Sequence, residues 1–326
     1  MSIMNKVPVV DTGKSRRWRW LTWLTFAGIL LIGAAELTLR YLRYDEFPVY
    51  DVDAKIGYLP KPNQAGCFMG RYCWALNENS MLNEPWVPDR EHGILVIGDS
   101  LVWGEVRMAP GDKLGACLQS LVGGRYRIWS VGAGGWSNLN EVEYLNRNTD
   151  VTRNIHGLVW IANAGDFSYR SLWASDYTHP RQRPPFLLGY LAGKMAIPRL
   201  KHFLPASFQI QEQEEGSDAE VSAEAAQELR GWLKSAPRDL LQHSLFVWYP
   251  GAAELKARSP ATSHLLSAVR TIVEVGGLKF FDLRGEARWR SDCYRDPIHP
   301  SAEGDRVLAA VLQAQLWPGD APAMTP

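Results

Sequence analysis

From residue 93 onward the chain alternates short apolar runs with amphipathic stretches. Ile94-Leu95-Val96-Ile97 is one such run, and 126–131, 158–162, 244–249 and 278–282 repeat the pattern. Continuous apolar runs of this length suit strands buried on both faces of a parallel sheet. Between and after them, apolar residues recur at helical spacing. Leu114, Cys117, Leu118 and Leu121 share one face, as do Leu265, Leu266, Val269 and Ile272 ahead of Gly276-Gly277. Val307, Leu308, Val311 and Leu312 mark a C-terminal helix. Strand–helix alternation predicts an α/β fold, a doubly wound parallel five-stranded sheet. Ligands of such sheets bind beyond the carboxyl ends of the strands. Ser100, the stretch 132–135 and the stretch 163–166 each stand directly after a predicted strand.

Three regions depart from the alternation. Residues 20–35 carry no charge, and the apolar character resumes at Leu37 after Glu36. Together they approach the roughly 20 residues that a membrane-crossing helix needs. Lys6, Lys14, Arg16, Arg17 and Arg19 precede the segment, and Trp18, Trp20, Trp23, Tyr41 and Tyr44 border it. That charge bias predicts a cytoplasmic N-terminus, with everything after residue 44 outside the inner membrane. Gly33-Ala34-Ala35 keeps a cleaved signal peptide open as the second reading. Residues 45–90, interrupted by Pro48, Pro60, Pro62, Pro85 and Pro88, read as an extended stalk packed on the main domain. Cys67 and Cys73 within it are either a disulfide or two separate thiols. Residues 168–240 form an insertion. Its stretch 187–204 is a candidate helical cap, and 211–220 reads as a polar, acidic surface loop.

Composition narrows the function. With 35 basic and 35 acidic residues the net charge is zero, which speaks against a nucleic-acid partner. Four cysteines with no Cys-x-x-Cys pair offer neither a disulfide scaffold nor a zinc site, and no cofactor motif is present.

The chemistry lies in two motifs. Gly98-Asp99-Ser100-Leu101-Val102-Trp103-Gly104 follows the first apolar run, and Asp296-Pro297-Ile298-His299-Pro300 stands near the C-terminus. A hydroxyl becomes a useful nucleophile when a histidine takes its proton and a carboxylate fixes that histidine's tautomer. Ser100, His299 and Asp296 supply these groups. Other histidines, such as His92, His156 and His243, stand in no such pattern. Trp103 and Trp136 flank the region, either as core or as platforms for a sugar ring.

Val96 to Gly104 resembles the first block of the SGNH (GDSL) hydrolase superfamily, and Asp296 to Gly304 resembles its last. Ser130-Val131-Gly132-Ala133-Gly134-Gly135-Trp136 is similar to the second. The resemblance covers about residues 93–316 without the insertion. It implies the flavodoxin-like SGNH fold, Ser100 as nucleophile, His299 as general base and Asp296 as its partner. It also implies main-chain N–H groups of Ser100 and Gly135 as oxyanion donors. The third block departs from the pattern. Ile161-Ala162-Asn163-Ala164-Gly165-Asp166-Phe167 places Gly165 where the family has asparagine, so Asn163 is the candidate side-chain donor, two residues early.

The resemblance implies serine-dependent acyl transfer on a cell-envelope glycan, by hydrolysis of an O-acyl ester or by O-acetyl transfer. A lipid or small-ester esterase, and a non-catalytic glycan-binding or scaffold subunit of an export complex, are the alternatives. The expected organisation is a cytoplasmic tail (1–19), a transmembrane helix (20–42), a stalk (43–92) and a periplasmic or extracellular catalytic domain (93–318).

Overall fold

The structure, a computed structural model, describes residues 14–82, 84–200, 221–257 and 260–317. The expected tail up to residue 13 and the acidic stretch 211–220 lie outside them. Helix α1 (Lys14–Tyr41) contains the 24-residue segment Trp18–Tyr41, whose most apolar stretch of 18 residues has mean hydropathy 1.6. Among the described residues this is the one helix long and apolar enough to cross a membrane, and a signal sequence has the same length and composition. Glu36, which interrupts the apolar run, has a local task. Its carboxylate accepts the Leu187 and Leu188 N–H groups at 3.0 and 2.8 Å. Arg40, one turn on, donates to the Pro184 and Pro185 carbonyls. Both residues tie the end of α1 to the insertion.

The expected stalk folds into two antiparallel hairpins, β1 (Tyr50–Asp53) with β2 (Gly57–Pro60) and β3 (Ala65–Phe68) with β4 (Tyr72–Ala75). Strands of four residues are too short to show a period in the sequence. Their Tyr50 and Tyr58, with Ile56 and Met81 beside them, bury themselves against the sheet domain. Cys67 and Cys73 face each other across the second hairpin as a disulfide.

The main domain then alternates as expected. It runs β5 (Asp89–Gly98), α2 (Ser100–Trp103), α3 (Leu114–Val122), β6 (Arg127–Gly132), α4 (Asn138–Arg147), α5 (Thr149–Arg153) and β7 (Ile155–Ala162). After the insertion helix α6 (Leu187–Leu200) come α7 (Ala223–Ser235), α8 (Arg238–Gln242), β8 (Leu245–Trp248), α9 (Ala252–Ala257), α10 (Pro260–Val275), β9 (Lys279–Asp282) and α11 (Ala302–Leu316). The strands form one parallel sheet of order β6-β5-β7-β8-β9, the flavodoxin-like arrangement.

Side-chain alternation divides the sheet between two cores. Leu95, Ile97, Trp129, Val131, Leu158, Trp160, Phe246 and Trp248 face α4, α7, α8 and α10. Ile94, Val96, Ile128, Val159, Ile161, Leu245 and Val247 face α3 and α11. Continuous apolar runs were required because each strand is covered on both sides. Within 168–240, α7 is a sheet-packing crossover helix, with Leu229, Trp232 and Leu233 buried in the first core. Helix α6 lies beside α1.

Candidate active site

Ser100 opens α2 directly after β5, an interior strand of the sheet. Asp99 caps this one-turn helix, its Oδ1 accepting the Leu101 N–H at 2.8 Å. Leu101, Val102 and Trp103 are buried, so Ser100 alone of the four faces outward. Burying three of four side chains anchors the turn and fixes where the hydroxyl points.

His299 arrives from the far end of the chain on the loop between β9 and α11. Several bonds hold that loop. Tyr249 Oη donates to the Ile298 carbonyl at 2.8 Å, the Ala252 N–H donates to the Pro297 carbonyl at 2.8 Å, and the Ser301 N–H donates to the Cys293 carbonyl at 2.7 Å. Helix α11 takes its cap from Ser301, whose Oγ accepts the Gly304 N–H, which leaves Asp296 free of that task.

Ser100 Oγ lies 3.0 Å from His299 Nε2, and His299 Nδ1 lies 2.9 Å from Asp296 Oδ2 and 3.0 Å from Oδ1. With a carboxylate at Nδ1, the neutral ring carries its proton there and leaves Nε2 to accept from the hydroxyl. Asp296 Oδ1 also accepts the His299 and Ile298 N–H groups at 2.8 and 3.1 Å. Burial pushes this carboxyl up, but the two backbone donors and the imidazole outweigh it and hold the group below the ordinary value. Arg295 adds a cation 3.4 Å from Asp296 Oδ2 and pairs with Glu105 across the site. The sequence-predicted serine, histidine and aspartate, nearly 200 residues apart, thus form one hydrogen-bonded chain.

The second predicted segment reaches the site through strand register. Gly98 pairs with Gly132, so the turns after β5 and β6 leave the sheet at the same level. A side chain on Gly132 would meet the Gly98 and Asp99 carbonyls at 2.4 and 2.8 Å, a close approach that only glycine permits. Residues 133–136 then form a β-turn, the Trp136 N–H donating to the Ala133 carbonyl at 3.1 Å. Gly135 has φ +76, the third-position geometry of a type II turn. Neither the Ser100 N–H nor the Gly135 N–H has an acceptor among the described residues.

Asn163 stands behind Ser100. Its Nδ2 lies 3.3 Å from Asp99 Oδ2 and 3.1 Å from Asp166 Oδ1, so both its amide hydrogens face carboxyl oxygens. Its Oδ1 accepts the Gly165 N–H at 2.8 Å, and its own N–H donates to Asp166 Oδ2 at 2.7 Å. In this arrangement the side chain braces the first- and third-block turns against each other and has no hydrogen left for a ligand.

The sequence did not disclose the buried acids behind these turns. Asp99, Asp166 and Glu141 are all buried. Burial raises the Asp99 carboxyl to about 6, against the pull of the Leu101 N–H and His299. Burial raises Glu141 to about 8, although the Trp160 indole N–H donates to it at 2.5 Å. Asp166 is pushed well above the ordinary carboxyl range by burial and then by the charges of Asp99 and Glu141. Acids this close cannot all ionise without water, so the cluster keeps protons at neutral pH. Trp103 and Trp136 are buried, and the Trp136 indole donates to the Tyr58 carbonyl at 2.7 Å. They are core and not sugar platforms.

A cavity of about 510 Å³ lies elsewhere, lined among others by Arg43, Glu46, Trp74, Leu82 and Lys113, and Ser100 and His299 take no part in it. The triad itself is open to solvent, with the His299 and Asp296 side chains 29% and 39% exposed. Among the described residues no cluster of His, Cys, Asp and Glu has the arrangement of a metal site.

No protein-family profile matches the chain, and no curated protein matches it. Among solved structures, a carbohydrate acetylesterase family member from Sinorhizobium meliloti is similar at 16% identity and TM-score 0.37, over 69% of this chain and 99% of that one. A lipase/acylhydrolase from Enterococcus faecalis is similar at 12% identity and TM-score 0.43, over 72% of this chain and 100% of that one. A member of the lipolytic protein G-D-S-L family from Veillonella parvula is similar at 10% identity and TM-score 0.41, over 70% and 99%. Likenesses this distant say nothing about chemistry, which rests on the geometry of Ser100, His299 and Asp296.

Proposed function

We propose that this protein is a serine enzyme that transfers an acyl group from an O-acyl ester through an acyl-serine. The observation that carries this reading is the continuous chain from Asp296 through His299 to the Ser100 hydroxyl. Ser100 Oγ attacks the ester carbonyl carbon and forms the new C–O bond, while its proton passes to His299 Nε2. The negative charge on the carbonyl oxygen falls to the Ser100 and Gly135 N–H groups. Collapse breaks the bond to the leaving alcohol, which takes the proton from His299. Asp296 steadies the imidazolium between these transfers. A water, or a second hydroxyl, then attacks the acyl-serine while His299 takes its proton, and collapse breaks the acyl–Oγ bond as Ser100 recovers that proton.

An acylated glycan of the cell envelope is the substrate class we favour. The open triad suits a polymer approaching from solvent, and α1 suits a chain tethered to the membrane with its catalytic domain outside. Water as acceptor makes the protein an esterase, and a sugar hydroxyl makes it an O-acyltransferase. Asn163 serves as a third donor only where a bound ester draws its amide away from Asp99.

The test is labelling of the full-length protein with a fluorophosphonate probe. The expected outcome is one labelled serine, lost in Ser100→Ala and slowed in His299→Ala. Folded protein that stays unlabelled would instead make the chain a glycan-binding or scaffold subunit. Acetate release from a donor ester, followed with and without an acetyl-free glycan, then separates hydrolysis from transfer.

A further inference from the structure

The Gly135 N–H belongs to the same peptide unit as the Gly134 carbonyl. That unit is the central peptide of the turn formed by residues 133–136. In a β-turn this peptide has two orientations, related by a flip of about 180° that converts type II into type I. With glycine on both sides, neither orientation meets a side chain of its own. A flip would turn the Gly135 N–H away from the place it now faces.

Two side chains from outside the sheet domain grip this peptide. Tyr58 Oη donates to the Gly134 carbonyl at 2.8 Å. His179 Nε2 lies 2.9 Å from the same oxygen and, facing a carbonyl, is the protonated ring nitrogen. Tyr58 comes from the first hairpin and His179 from the segment after β7. Their rings stack at 3.8 Å between centroids, and Tyr50 meets His179 edge-on at 4.9 Å. The Tyr50 N–H donates to the Pro180 carbonyl at 2.9 Å, which joins the two segments directly. Tyr58 also fills the space beside Gly135, where a side chain would meet its hydroxyl at 3.2 Å. Burial keeps the His179 imidazole neutral, lowering it to about 4. It is therefore a donor of fixed tautomer and adds no charge.

We infer that Tyr58 and His179 are positioning residues that lock the Gly134–Gly135 peptide in the orientation presenting the Gly135 N–H to the reacting carbonyl oxygen. Two donors on the carbonyl also polarise the N–H at the other end of the same peptide. The inference rests on the acyl-transfer reading above, and it gives the hairpin and the inserted segment a part in catalysis.

The test uses the full-length chain and para-nitrophenyl acetate. Tyr58→Phe keeps the ring stack and removes one donor, so kcat falls roughly threefold to tenfold with KM within twofold of the parent. His179→Leu behaves alike, and His179→Gln, whose Nε2 can donate from a similar position, recovers most of the loss. Tyr58→Phe with His179→Leu approaches the roughly hundredfold loss typical of a missing oxyanion donor. The acid-side midpoint of the rate profile stays put, because the base His299 is untouched. Parent-like kcat in folded Tyr58→Phe and His179→Leu, beside an inactive Ser100→Ala, overturns the clamp and spares the acyl-transfer reading. Equal loss in His179→Gln and His179→Leu overturns it too, by reducing His179 to packing. Tyr58→Phe decides alone if the double variant does not fold. Activity or probe labelling that survives Ser100→Ala, or parent protein inert to both reagents, overturns the acyl-transfer reading and the clamp with it.

Discussion

Asp296→Asn isolates the electrostatic half of the triad. Asp296 Oδ1 faces two backbone N–H groups, so the asparagine oxygen must sit there and its NH₂ must take the Oδ2 position. That NH₂ then points at His299 Nδ1 from 2.9 Å, where the carboxylate had accepted a proton. The ring is drawn toward the tautomer with its proton on Nε2, which cannot receive the Ser100 proton. Because Oδ1 also lies 3.0 Å from Nδ1, the productive tautomer retains one acceptor. The loss of charge remains in either case. Coulomb's law gives about 6 kcal/mol for the ion pair at 2.9 Å and a dielectric of about 20. Partial exposure of both side chains roughly halves that, to about 3 kcal/mol or about a hundredfold in rate. Full tautomer reversal would extend the loss toward about ten-thousandfold. The assay is kcat on para-nitrophenyl acetate beside the rate of fluorophosphonate labelling, with thermal unfolding as a control. A folded Asp296→Asn protein within tenfold of the parent would refute this account of how His299 is made a base.

Further outcomes concern the buried titrating groups and the hairpin. His179 falls from an ordinary 6.5 to about 4 in the fold, so the unfolded chain binds its proton first as pH drops. Its contribution is whole above pH 6.5 and is lost toward pH 4, on the order of 3 kcal/mol. His179→Gln should flatten urea-midpoint loss over that window, and an unchanged slope would contradict a neutral buried ring. Glu141 has the opposite sign: its folded value is raised from 4.5 to about 8, so stability declines as pH rises through that interval. Glu141→Gln keeps an acceptor for the Trp160 indole, so melting temperatures compared at pH 5 and pH 8 should converge; a larger gap than in the parent would count against the buried acid. Replacing Cys67 and Cys73 with serine frees a span of six residues and should cost about 2 kcal/mol in urea unfolding without changing kcat. An unmoved midpoint would show that the second hairpin unfolds apart from the rest.

The sheet was legible because its strands are covered on both faces. That burial demands unbroken apolar runs, and the register then brings the turns after β5, β6 and β7 to one edge. Ser100, Asp296 and His299 were legible because acyl chemistry tolerates few substitutes for them. The hairpins were not, since four-residue strands carry no measurable period. Tyr58 and His179 stand in no motif at all. An isolated tyrosine and an isolated histidine look the same in a sequence whether they pack, titrate or hold a peptide.

Local chemistry written in the order of residues therefore determined the sheet architecture and singled out the serine, histidine and aspartate that meet in the fold. Side-chain periodicity and residue type act over a few positions, and those positions are adjacent in the chain. Folding alone decided that Asn163 spends its amide on Asp99 and Asp166, that three buried acids lie near enough for charge on one to raise another's pKa, and that two distant aromatic rings meet at the Gly134 carbonyl. Each of these depends on distances between segments far apart along the backbone, which no local pattern encodes.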